Sequence, residues 1–187
     1  MQIAVRRLNR VISNVLEMTR IEADAIQLKL DWCDIDEVVE GAVELAGDAL
    51  STHRLAIEIA ENAPMVKIDH LLIEQSLGNL LANAAHWSAP GTTIRVIAEV
   101  SDGAVLLVVS DRGPGIPQDE LPHVFEKFYR GAKAPSGGTG LGLAIVDGFV
   151  RAHGGSVHAA NRPEGGAEFQ IRLPVETLNE NAVELDD

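Results

Sequence analysis

A single cysteine, Cys33, stands among the 187 residues. An internal disulfide is therefore excluded, which fits a reducing compartment. No cysteine–histidine cluster has the spacing of a zinc site. No apolar run approaches the length of a membrane span, and there is no signal-peptide pattern. Basic residues are scarce: 15 Lys and Arg face 28 Asp and Glu, a net charge of −13. That balance argues against a binder of duplex nucleic acid, which needs a basic face. It leaves a nucleotide ligand open, because local charge governs such a site.

What is present supports a folded domain. Apolar residues make up 46% of the chain, enough to bury a core. Residues 1 to 30 read as one helix, with Val5, Leu8, Ile12 and Val15 on a stripe that implies packing against other helices. Asp34 is placed to cap a second helix, with Glu37 as its capping-box partner. "RLAIEIAE" alternates as a strand and "MVKI" is a short one. Asp69 caps a long helix over 70–87 whose buried side takes Leu71, Leu72, Leu77, Leu80, Leu81 and Ala84. Strands over 92–101 and 104–110 are joined at Asp102-Gly103, a two-residue hairpin signal. Residues 111–139 are rich in turns, 140–153 form a helix, and "SVHAAN" and "AEFQIRLP" make a final hairpin. The expected fold is α/β: a two-layer sandwich, its mixed, mostly antiparallel sheet carrying helices on one face, behind a helical arm. The expected divisions are an arm at 1–30, a domain at 31–174 and an acidic, disordered tail at 175–187.

Three motifs carry chemistry. "SGGTGLGL" spends four glycines in eight positions just before a helix. Free backbone N–H groups and the helix dipole make such a place an anion site, and phosphate is the usual anion. In "SDRGPGI" an apolar strand ends at Asp111 beside a sharp turn. Its carboxylate only accepts, so it suits a donor such as an exocyclic amine, although an Asp there also commonly caps a turn. In "NLLANAAHW", Asn79 and Asn83 share one helix face. Amide oxygens can ligate magnesium together with phosphate oxygens and water, and a solvated helix face is the plainer alternative.

Each motif alone is modest, but their order is specific. Asn79 and Asn83, then Asp111-x-Gly113-x-Gly115, then "FEKFYR", then Gly138-x-Gly140-x-Gly142 resembles the catalytic ATP-binding domain of sensor histidine kinases, the GHKL or Bergerat fold. "LNRVISNVLEMTRIEADAIQLKLDWCDIDEVV" looks like the second dimerisation helix and linker, and with "NRPEGGAEFQIRLP" is most similar to the potassium-responsive Kdp-type subfamily. The resemblance implies roles. Asp111 would bind the adenine amine, with Gly113 and Gly115 turning beneath the base. Asn83 would ligate Mg2+, with Asn79 close to the phosphates. Gly138, Thr139, Gly140, Leu141 and Gly142 would form the hinge of an ATP lid and meet the phosphates. Phe125 and Phe128 would pack its base, and Lys127, Arg130 and Lys133 could offset phosphate charge. His86 and Trp87 stand where the family often has Lys and Tyr. Trp87 can offer the same aromatic face, while His86 is a weaker cation at neutral pH.

One element of the pattern is missing. None of the six histidines lies on a long helix ahead of residue 30 and is followed by an acid. The chain is therefore expected to bind ATP and Mg2+ without labelling itself. The acceptor histidine would lie on a first dimerisation helix outside the chain, in a homodimeric, membrane-bound parent whose cytoplasmic portion this is. A response-regulator receiver domain would then take the phosphate. The alternatives are a GHKL-type ATPase and a non-catalytic ATP sensor.

Overall fold

The computed structural model describes residues 2–131 and 138–178, with side chains from Val11 onward. Helix α1 (Gln2–Glu22) leads into a short strand β1 (Asp31–Cys33) and helix α2 (Ile35–Ala46). Strands β2 (Arg54–Ile59) and β3 (Met65–Ile68) precede the long helix α3 (His70–Trp87). The hairpin β4 (Thr93–Ser101) and β5 (Ala104–Ser110) follows, then helix α4 (Gly142–Ala152). The chain closes with strands β6 (Ser156–Asn161), β7 (Ala167–Pro174) and β8 (Thr177–Leu178).

Five strands form one sheet in the order β2-β4-β5-β7-β6. Only β2 and β4 run parallel, which they can do because β3 and α3 intervene as a crossover. The mixed, mostly antiparallel sheet expected from the sequence is thus present. Strands β4 and β7 keep their period of two: Ile94, Val96 and Ala98 point inward, and so do Phe169, Ile171 and Leu173. The central strand β5 is buried along almost its whole length, so its sequence runs continuously apolar instead of alternating. Helices α2, α3 and α4 pack side by side, and α3 and α4 cover one face of the sheet. Leu77, Leu80, Ile94 and Leu107 are fully buried between the layers. Truncating any one to alanine costs about 2–5 kcal/mol.

The structure differs from the sequence reading at several places. Helix α1 stops at Glu22, eight residues short of the expected end, because Asp24 turns with φ +50°. The arm does pack against another helix, but through different residues: Met18 is buried with Leu141, Ala144, Ile145 and Phe149, and Ile21 and Ile26 pack against that cluster, while Ile12 and Val15 of the expected stripe are exposed. Asp34 makes no side-chain cap, whereas Asp69 does, accepting from the N–H of Leu72 at 3.4 Å. Leu71 is exposed, since it lies on the outer side of α3. A three-stranded ribbon β1-β3-β8 had no sequence signal strong enough to find it. Strand β8 lies inside the stretch expected to be an acidic tail, and Thr177 and Leu178 pair with Val66 and Met65. Residues 179–187 lie outside the described residues, as do 132–137 with Lys133.

Candidate functional site

Strand β5 runs straight into Asp111, which is 2% exposed. The turn that follows brings its own backbone back: the N–H of Gly113 donates to Asp111 Oδ1 at 2.7 Å, and the N–H of Ala167 donates to the same oxygen at 3.1 Å. One carboxylate oxygen is thereby saturated. Among the described residues, Oδ2 receives no hydrogen bond, and the residue lines a cavity of about 640 Å3. Burial pushes the carboxyl of Asp111 upward from its ordinary value, opposed by the two N–H bonds and by the nearby Arg162 cation. Arg162 also donates to the Asp111 carbonyl at 3.0 Å, so the aspartate is held at both ends.

Helix α3 forms another wall. Asn79, Asn83, His86 and Trp87 all line the cavity. The Nδ2 of Asn79 is buried and has no hydrogen-bond partner among the described residues. A buried amide left unpaired costs about 1–3 kcal/mol, so it marks a place where a ligand acceptor belongs. His86 is exposed, and its ring stands edge-on to that of Trp87 at 5.8 Å.

The opposite end is built by Gly138, Thr139, Gly140 and Gly142, where α4 begins. Gly140 has φ +70°, and a Cβ there would fall 2.7 Å from the backbone carbon of Phe128. The two segments are clasped by the N–H of Phe128, which donates to the carbonyl of Gly140 at 2.9 Å. No side chain fits that contact, so glycine is required. Thr139 Oγ1 accepts from the N–H of Leu141 at 3.3 Å, which steadies the entry to α4. The result is one cavity with an acceptor at one end, and an orphaned donor and a helix N-terminus at the other. Its volume falls within the roughly 300–1,000 Å3 usual for small-molecule sites.

The family described as "Histidine kinase-, DNA gyrase B-, and HSP90-like ATPase" matches residues 68–177, more than half of the chain and the span that holds all of these walls. The chain belongs to that family. Within it, the chain is of the sensor-histidine-kinase kind. It is 38% identical to the sensor protein KdpD of Escherichia coli K12 over 172 residues, which covers 91% of this chain and 19% of KdpD. That similarity bears out the Kdp-type resemblance. A mycobacterial sensor histidine kinase, MprB, superposes with a TM-score of 0.70 at 32% identity, covering 79% of this chain and all of that one. Full-length ShkA in complex with AMPPNP superposes with a TM-score of 0.80 at 30% identity, covering 92% of this chain and 36% of ShkA. The chain therefore spans about a fifth of KdpD and about a third of ShkA.

In this histidine-kinase-type site the structure brings together most of the expected residues. Asn79, Asn83, His86, Trp87, Asp111, Gly115, Arg130, Gly138, Thr139, Gly140 and Gly142 share the cavity. Five others do not line it. Gly113 lies behind Asp111, against the carbonyl of Trp87. Phe125 supports the floor from beneath, its ring edge-on to Phe169 at 6.3 Å. Leu141 is 1% exposed and points into the core with Met18 and Phe149. Lys127 reaches away, its Nζ donating to Glu22 Oε1 at 2.7 Å. Phe128, expected at the base of the lid, is 68% exposed with φ +62°.

The sequence reading missed other residues. Asn161 is one: it accepts from the N–H of Ile116 at 2.7 Å and donates to the carbonyl of Ile116 at 2.6 Å, pinning the turn after Asp111 from β6. Phe169 and Ala167 reach the cavity from β7. These are long-range partners that no local motif announces. Asn14, buried on α1 and also lining the cavity, was missed for the same reason.

Proposed function

We propose that the cavity binds ATP, with adenine at Asp111 and the phosphates at Asn79, Asn83 and the Gly138–Gly142 turn. The observation that carries this reading is the division of labour on Asp111: one oxygen is saturated by the protein, leaving the other to accept from an exocyclic amine. Trp87 offers its ring to the base, and Phe169 closes the floor. At the far end, the unpaired Asn79 amide donates to phosphate oxygen, and the N-terminus of α4 adds its partial positive charge. Arg130 adds a guanidinium to the cavity lining, and His86 adds an imidazole at the end of α3. The amide oxygen of Asn83 fits Mg2+, which when bound neutralises phosphate charge.

In the full-length protein, the domain would present the γ-phosphate to a histidine on a separate dimerisation helix. A response-regulator receiver domain would then accept it on an aspartate. The domain's contribution is positioning and charge stabilisation, with no covalent step of its own. A hydrolytic clamp of the gyrase or chaperone kind would need a carboxylate base on α3 facing the cavity. Glu74 instead lies against Gly41 of α2, and the candidate position one turn before Asn83 is Asn79.

Calorimetric titration with AMPPNP and Mg2+ tests the reading. Micromolar binding, roughly −8 kcal/mol, should be lost in Asp111→Ala and weakened in Asn83→Ala. Mixing the chain and ATP with a separately made dimerisation hairpin carrying a histidine should then label the hairpin. Unchanged affinity in Asp111→Ala would sink the nucleotide reading, and binding without labelling would sink the kinase reading.

A further inference from the structure

Asn14 sits on α1, outside residues 68–177 that match the ATP-binding family, yet it lines the cavity together with Val11. It is 6% exposed. Its amide makes no hydrogen bond among the described residues and keeps access to the cavity, so it is free to pair with a ligand there.

Its position within the cavity follows from how α1 docks. Ile21 lies against Gly148 in the middle of α4, so close that a Cβ on Gly148 would fall 2.7 Å from Ile21 Cδ1. Met18 packs against Leu141, Ala144 and Ile145 at the start of α4. Going back along α1 therefore moves towards and past the N-terminus of α4. One more turn, about 6 Å of helix rise, brings Asn14 alongside the Gly138–Gly142 turn, the end assigned to phosphate. The dock is reinforced at its other end by the Lys127–Glu22 ion pair.

We propose that Asn14 is a further binding residue for the polyphosphate end of the nucleotide, supplied by the arm and not by the ATP-binding fold. This rests on the nucleotide reading above. Its consequence is reciprocal: docking of α1 tightens polyphosphate binding, and bound polyphosphate holds α1 docked. A side chain from the dimerisation helix would then report occupancy of the site to the rest of the kinase.

The test uses the whole 187-residue chain and compares AMPPNP–Mg2+ with AMP by calorimetry. Asn14→Ala should weaken AMPPNP about tenfold and leave AMP within twofold, with the melting temperature of the free protein unchanged. Met18→Asp, which undocks the arm, should give the same tenfold loss, and the double variant should lose no more than either single one. Amide exchange over residues 11–21 should slow on AMPPNP binding in the wild type but not in Asn14→Ala. Unaltered AMPPNP affinity in Asn14→Ala would overturn the proposal, as would equal weakening of AMP and AMPPNP. If the wild-type chain binds neither nucleotide, or Asp111→Ala leaves binding intact, the nucleotide reading fails first and takes this one with it.

Discussion

At Asp111, burial and hydrogen bonding pull the carboxyl in opposite directions, and burial wins, raising its pKa above the ordinary 3.8. The sign of the consequence follows. An acid whose pKa is raised by folding contributes stability that is present below the unfolded value and lost as pH rises through the folded value. Asp111→Asn keeps an oxygen for Gly113 and Ala167 but carries no charge. The free-protein stabilities of wild type and Asp111→Asn should therefore diverge in favour of the variant as pH climbs from 3.5 to 7, measured by urea denaturation. The same variant turns an amide N–H2 towards the cavity, so it should lose adenine binding while remaining folded. A second residue-scale expectation concerns Gly166, which has φ +93° and whose Cβ would collide with the carbonyl of Asp111. Gly166→Ala should cost about 1–3 kcal/mol of strain, read as a lowered melting temperature, and should weaken nucleotide binding because the collision displaces Asp111.

At the scale of elements, the cap of α3 ties that helix to two distant parts of the chain. Asp69 Oδ1 accepts from Leu72, Oδ2 accepts from the N–H of Lys29 at 2.9 Å, and its own N–H donates to His153 Nε2 at 3.2 Å. His153 closes the chain by donating from Nδ1 to the carbonyl of Phe149 at 2.7 Å, which ties the end of α4 to the start of α3. Asp69→Ala should destabilise the protein by about 1–3 kcal/mol in chemical denaturation, beyond the roughly 1 kcal/mol of a lost cap alone. This helix was legible in the sequence because an Asp cap is followed at once by a long apolar face. The Asp34 cap was misread because the same residue type stood at the same offset but its side chain makes no cap bond. Strands β1 and β8, of three and two residues, exist only through their pairing with β3, which no periodicity over so few positions can signal.

At the scale of the molecule, α1 shows two faces. Val11, Asn14, Met18 and Ile21 turn towards the domain, while Ile12, Val15 and Leu16 remain 48–59% exposed. Such a contiguous apolar stripe on a helix is an association surface. Sedimentation at rising concentration should show reversible self-association of the chain, removed by Ile12→Lys with Leu16→Lys. AMPPNP affinity should be unchanged in that variant, because neither side chain lines the cavity. A monomer at high concentration would count against the surface.

The sequence by itself determined the α/β class, the ends of α3, the β4–β5 hairpin, and the three motifs that carry Asn83, Asp111 and Gly140. All of these are encoded within a few residues of one another, where helical or strand period, caps and turn chemistry act directly. Only the tertiary structure decided that Asp111 spends one oxygen on Ala167 and keeps the other free. It alone decided that Lys127 and Leu141 turn away from the cavity, and that Asn14 reaches it from a helix more than 60 residues before the first family motif. Those outcomes depend on which distant surfaces meet once β5, β7, α1 and α4 are packed. Packing at such separations is set by the shape and burial of the whole core, not by local spacing.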